Sequence, residues 1–130
     1  MPTLEDAILL ATKAHRGQMD KASQPYILHP LRVMFRLEAE LERIVGVLHD
    51  VVEDTALTLD DLQEMGYPPE VVEAVDCLSR REGERYYQFI ERVKINPIAQ
   101  RVKIADLEDN MDVRRLSELA DRDAQRVRVY

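Results

Sequence analysis

Apolar residues recur at helical spacing nearly throughout this chain. No β-branched run alternates with polar residues for long enough to make a strand. That feature confines the fold to helices packed on helices. Thr3 stands as an N-cap ahead of Glu5 and Asp6, apolar residues follow from Ala7 to Ala14, and Gly17 stops the helix. Residues 18–28 read as a loop, with Pro25 and Pro30 bracketing Tyr26-Ile27, a pair expected to dock on the core. A second helix is expected from near Pro30 through Leu37, and a third over about residues 40–53. Thr58 caps a short helix ending at Gly66, Pro68-Pro69 opens one through Leu78, and another follows Gly83. Pro97 opens a long helix from Ile98 to about Asp112, and the tail after Asp121 is expected to add a last one. The expectation is an all-α, compact, single-domain bundle of about seven short helices over residues 1–130.

Composition narrows the function classes. Hydrophobic residues at 45% and charged residues at 33%, without low-complexity tracts, describe a packed core rather than a disordered chain. No apolar run approaches the ~20 residues that span a bilayer, and the N-terminal stretch does not read as a signal peptide, so no membrane partner is expected. One cysteine, Cys77, excludes a disulfide framework and a cysteine-based zinc cage. It suits a reducing compartment, and the expected location is cytoplasmic. A net charge of −7 argues against a nucleic-acid partner, which needs a positive face. The acids are unevenly spread. Between Arg43 and Arg80 there is no Lys or Arg, and nine acids stand there. They form either a solvated acidic face or, in part, a cation site.

Placed on one helix, residues 44–54 divide into an apolar face (Ile44, Val45, Val47, Leu48, Val51, Val52) and a face carrying His49, Asp50, Glu53 and Asp54 within about 140°. Gly46 falls on the ionisable face, as if to leave room above it. Ordinary amphipathicity also puts acids outside. It would more usually mix cations among them, so a metal or catalytic site stands beside that reading. In the helix from Ile98, Lys103, Asp106 and Asn110 share a stripe flanked by apolar residues on both sides. Such a helix reads as largely buried, with each polar group needing a partner. Asp109 lies further round and reads as a surface carboxylate. His15 reads as structural. His29, taken alone, reads as a packed or capping histidine.

The segments HRGQMDKASQPYILHP (15–30), LHDVVEDT (48–55) and VKIADLEDN (102–110) together resemble the hydrolase domain of RelA/SpoT-type proteins and its stand-alone small homologues. These lie within the HD-domain phosphohydrolase superfamily, and the resemblance runs over residues 4–116. It implies an all-α fold holding one divalent cation, usually Mn²⁺, with His29, His49, Asp50 and Asp106 as ligands. Glu53 and Asp54 would orient and deprotonate a metal-bound water and handle proton transfer. Asn110 would hold the substrate or the coordination shell, and Lys103 and Lys21 would meet phosphates. The implied reaction is metal-assisted hydrolysis of a phosphate ester. For RelA/SpoT-type members it removes the 3′-pyrophosphate of guanosine tetra- or pentaphosphate, so the implied partner is a small phosphorylated nucleotide.

One departure bears on the substrate. The family's loop usually reads Arg-Lys-Ser-Gly, with the Arg against the guanine base, and here the positions are Asp20-Lys21-Ala22-Ser23. An acid in place of the base-stacking cation favours an HD phosphohydrolase acting on another nucleotide or phosphate ester. A non-catalytic nucleotide sensor is a third reading, against which the Glu53–Asp54 pair speaks. Nothing resembles a synthetase or regulatory domain, so alarmone synthesis is not expected.

Overall fold

The most apolar run of the chain, Ile44–Leu48, is buried on every side. A helix of that kind belongs at the centre of a bundle, not on its surface. In the computed structural model, which describes residues 1–112, the run forms the last turns of α3 (Glu40–Leu48). Around it stand α1 (Leu4–Ala14), α2 (Leu28–Phe35), α6 (Pro69–Leu78) and α8 (Pro97–Asn110), all in contact with α3. Short α4 (Val51–Asp54), α5 (Leu59–Glu64) and α7 (Tyr86–Ile95) complete the described elements. The expected all-α bundle is the observed one. Among the described residues the only strand-like pairing is an isolated bridge between Met19 and Pro25. No described helix is long and apolar enough to cross a membrane. The helix expected after Asp121 lies outside the described residues.

Local chemistry explains the element boundaries. Thr3 and Asp6 form a capping box at α1, and Thr58 and Asp61 repeat it at α5. Asn96 caps α8 through the Ala99 N–H at 2.9 Å, with Pro97 at the first helical position. Gly17 and Gly66 end α1 and α5 at φ of 85° and 96°, a region open to glycine.

Three expectations need correction. The helix expected over 40–53 is two helices, broken at His49-Asp50. The His49 ring donates from Nδ1 to the Gly46 carbonyl at 2.6 Å. That carbonyl is the acceptor an uninterrupted helix would offer to the Asp50 N–H. Gly46 does not open space above the acids. It is buried, and a Cβ there would meet the Leu37 Cδ1 at 2.8 Å and the Met34 backbone at 3.5 Å. It sets how closely α2 and α3 approach. Finally, α8 is buried on one side only. Val102 and Ala105 enter the core, whereas Ile104, Leu107 and Met111 are exposed, because α2, α3, α6 and α7 all pack on the other flank.

Candidate active site

The break after α3 lets the chain turn at the floor of a cleft. His49 closes α3, Asp50 precedes α4, and both side chains face His29 from the first turn of α2. The ligand atoms of His29, His49 and Asp50 lie within 4.8 Å of one another. Asp106 reaches in from α8, with Oδ1 at 2.7 Å from His29 Nε2 and 3.6 Å from His49 Nε2. The two imidazoles and Asp106 are buried, at 6%, 3% and 7% exposure.

Each group has a reason for its orientation. With Nδ1 donating to Gly46, His49 presents Nε2 to the cleft, 3.0 Å from Asp50 Oδ2. That nitrogen is buried and makes no hydrogen bond. Tyr26, expected to dock on the core, donates its hydroxyl to Asp50 Oδ2 at 2.5 Å. Burial works against a charged His49, but the Asp50 and Asp106 carboxylates outweigh it and hold its pKa well above the ordinary value. Burial would likewise raise Asp50, yet the adjacent His49 charge and the hydrogen bond from Tyr26 bring it down to about 2. Asp106 is also lowered against its burial, by the hydrogen bond from His29 and by the nearby charges of His49 and Lys103. Burial, then the Asp50 charge and the Asp50 hydrogen bond, push the Tyr26 phenol up.

The cleft has a volume of about 600 Å³. Tyr26, His29, Asp50 and Asp106 line it together with Glu53, Asp54, Asn110 and the Met19–Ala22 loop. Glu53 is anchored by the Arg80 N–H, which donates to Oε1 at 2.8 Å. Partial burial and the charges of neighbouring acids raise the pKa of Glu53 and of Asp54. Asp20 turns its carboxylate onto its own loop, accepting from the Ala22 and Gln24 N–H groups at 2.8 and 3.0 Å. Lys21 lines the cleft. Lys103 does not; its ammonium lies 3.0 Å from Asp106 Oδ2 and 5.3 Å from the centre of the Phe89 ring.

Asp109 is not the surface carboxylate expected. It is fully buried, accepting from His29 Nδ1 at 2.7 Å and from Arg32 Nε at 2.9 Å. Burial alone would raise its pKa; the hydrogen bonds and the Arg32 charge outweigh burial and lower it. Its spacing of three from Asp106 is the signal the sequence offers, since residues three apart share a helix face. Gln18 is a further residue that sequence reasoning misses. It accepts from His15 Nδ1 and donates to the Asp54 carbonyl, both at 2.9 Å, tying the buried His15 to the end of α4.

Two imidazoles, two carboxylates and a buried ring nitrogen without a hydrogen bond fit a borderline divalent cation. The cleft is otherwise strongly acidic, and an anionic substrate would be repelled from it without such an ion.

The chain is similar to several known proteins. A GTP pyrophosphokinase of Myxococcus xanthus is 29% identical over 126 residues, covering 83% of this chain. A guanosine-3′,5′-bis(diphosphate) 3′-pyrophosphohydrolase of Vibrio cholerae is 35% identical over 87 residues, 64% of the chain. The solved structure of a metazoan ortholog of SpoT, described as hydrolysing ppGpp, superposes with a TM-score of 0.70 at 25% identity over 85% of this chain and 70% of that one. The chain is a homologue of the RelA/SpoT proteins. It spans only 16% and 12% of the length of the two bacterial relatives. No family model matches it. Like the RelA/SpoT hydrolase domain, it has the all-α HD fold.

Proposed function

We propose that this RelA/SpoT homologue is a metal-dependent phosphohydrolase that removes the 3′-pyrophosphate of guanosine tetra- or pentaphosphate. The observation carrying this reading is the convergence of His29, His49, Asp50 and Asp106 on one cleft that Glu53 and Asp54 also line. Those four residues are the ligands in this reading, and Mn²⁺ is the ion. A divalent cation supplies acidification of water and shielding of phosphate charge. Glu53, held by the Arg80 amide, orients the attacking water and takes its proton, a task its raised pKa suits. Asp54 shares the proton transfer. Lys21 meets the phosphates from the loop, Lys103 adds positive charge beside Asp106, and Asn110 holds the substrate at the end of α8. The water oxygen bonds to the phosphorus on the ribose 3′ oxygen and that P–O bond breaks. Pyrophosphate leaves, and the 3′ oxygen takes up a proton. The reading places the enzyme in the cytoplasm, as a single domain over residues 1–130.

One observation favours a second reading, an HD phosphohydrolase of another nucleotide. Asp20 stands where the related loops hold a cation against guanine, and its carboxylate serves its own loop. Incubating Mn²⁺-loaded protein with a nucleotide panel separates the two. Pyrophosphate released from ppGpp is the expected product. Inorganic phosphate from other nucleotides with ppGpp untouched would establish the second reading, and no product from any would overturn both.

A further inference from the structure

An imidazole binds a metal only through a nitrogen that carries no proton, and the other nitrogen must then hold the proton and find an acceptor. The two histidines of the cleft solve this differently. His49 uses a backbone carbonyl, Gly46 O. His29 uses a side chain three residues beyond Asp106 on α8, so that its ring is held between two carboxylates at 2.7 Å each, Asp106 on Nε2 and Asp109 on Nδ1. Arg32, three residues after His29 on α2, completes the clamp from its own side, with Nε at 2.9 Å from Asp109 Oδ1 and 3.2 Å from Oδ2. Two residues of α2 thus face two of α8, and only Asp106 of the two acids lines the cleft.

The geometry points to Asp109 as a positioning residue for the metal site: fully buried and held by Arg32, its carboxylate keeps the His29 proton on Nδ1 and leaves Nε2 as the ligand nitrogen. This rests on the reading of His29 as a ligand. A carboxylate with no exposed surface is a costly way to bridge two helices, and apolar residues of similar volume often serve stability as well. What an apolar residue cannot do is accept the Nδ1 proton. An asparagine meets a conflict. With its oxygen toward His29, its NH₂ faces the Arg32 donor; with its oxygen toward Arg32, its NH₂ faces Nδ1 and forces the ring proton onto Nε2, where it blocks the ion.

The test uses Mn²⁺ alone as probe, with free ion counted by electron paramagnetic resonance in the cold, where circular dichroism confirms that each variant is folded. Asp109→Asn is expected to need about 10–100-fold more Mn²⁺ for half-saturation, the usual cost of losing the partner of a ligating histidine. Asp50→Asn runs alongside as the control for the site itself. Unchanged affinity in Asp109→Asn, with binding lost in Asp50→Asn, overturns the role of Asp109 and leaves the metal site standing. Unchanged affinity in Asp50→Asn overturns the site, and this inference with it. A second measurement needs no variant. In the unsubstituted protein loaded with diamagnetic Zn²⁺, nitrogen NMR is expected to show His29 with its proton on Nδ1, protected from exchange. A proton on Nε2 overturns the proposal even if Asp109→Asn does not fold.

Discussion

Asp50 and Glu53 are both acids of one cleft, yet their surroundings differ, as the roles proposed for them require. Asp50 is held down to about 2 by His49 and Tyr26 and faces His49 Nε2 at 3.0 Å. Glu53 is raised by partial burial and tied to a loop amide. Asp50→Asn is therefore expected to abolish both the rise in melting temperature caused by Mn²⁺ and hydrolysis. Glu53→Gln keeps the thermal shift and lowers kcat by about 10²–10⁴-fold, the worth of a positioned general base. Thermal melts and steady-state rates of the two variants check this, and loss of Mn²⁺ binding in Glu53→Gln would make Glu53 a ligand. A smaller constraint sits in the neighbouring loop. Ser23 has φ 61°, the left-handed region, at the position where the related loops carry glycine. A β-branched residue is strained there, so Ser23→Val is expected to cost about 1–2 kcal/mol in a urea titration. An unchanged midpoint would mean the loop adopts another conformation.

The element that governs Glu53 is the turn between α6 and α7. Arg92 of α7 donates to the carbonyls of Asp76 and Ser79 at 3.1 and 2.9 Å and binds both Glu84 oxygens at 2.7 and 2.8 Å. This cross-brace fixes the turn whose Arg80 N–H holds Glu53. Arg92→Met is expected to lower kcat while leaving Mn²⁺ affinity unchanged, because the proposed ligands stand on α2, α8 and the α3–α4 break. Equal losses in both would place the brace under the whole site. The brace also carries a pH signature. Its hydrogen bonds to Arg92 hold Glu84 at about 2, below an ordinary 4.5. A depressed folded pKa stabilises the native state fully above the unfolded value, and that contribution is lost as pH falls through the folded one. Between neutral pH and pH of about 2, the parent should therefore lose more stability than Arg92→Met, as denaturant titrations across that range will show.

Taken whole, the molecule concentrates acids around one cleft and sets buried histidines among them, an arrangement suited to the proposed cation. An ion that binds only the folded state must stabilise it, by about 2.7 kcal/mol at a hundredfold excess over Kd. Adding Mn²⁺ to chelator-treated protein is accordingly expected to raise the melting temperature, and renewed chelation to reverse the rise. No shift with any divalent metal would overturn the proposed metal site. The single core supports such a site because α3 packs against four helices at once, so its C-terminal end, with His49, has little freedom to move.

Helical periodicity, Thr3 and Thr58 as caps, the glycine stops and the three motif segments are legible in the amino-acid sequence alone. They depend on residues near one another in the chain, and local sterics and hydrogen bonding decide them. The bend at His49-Asp50, the closeness of Gly46 to Leu37 and the burial of Asp109 are decided by the tertiary structure. A uniform helical wheel carries Asp50, Glu53 and Asp54 past a break that the His49 ring creates, and it does not show which flank of α8 meets other helices. Distant partners decide such features: the ring of His29 and the guanidinium of Arg32 come to Asp109 across 80 and 77 residues of chain.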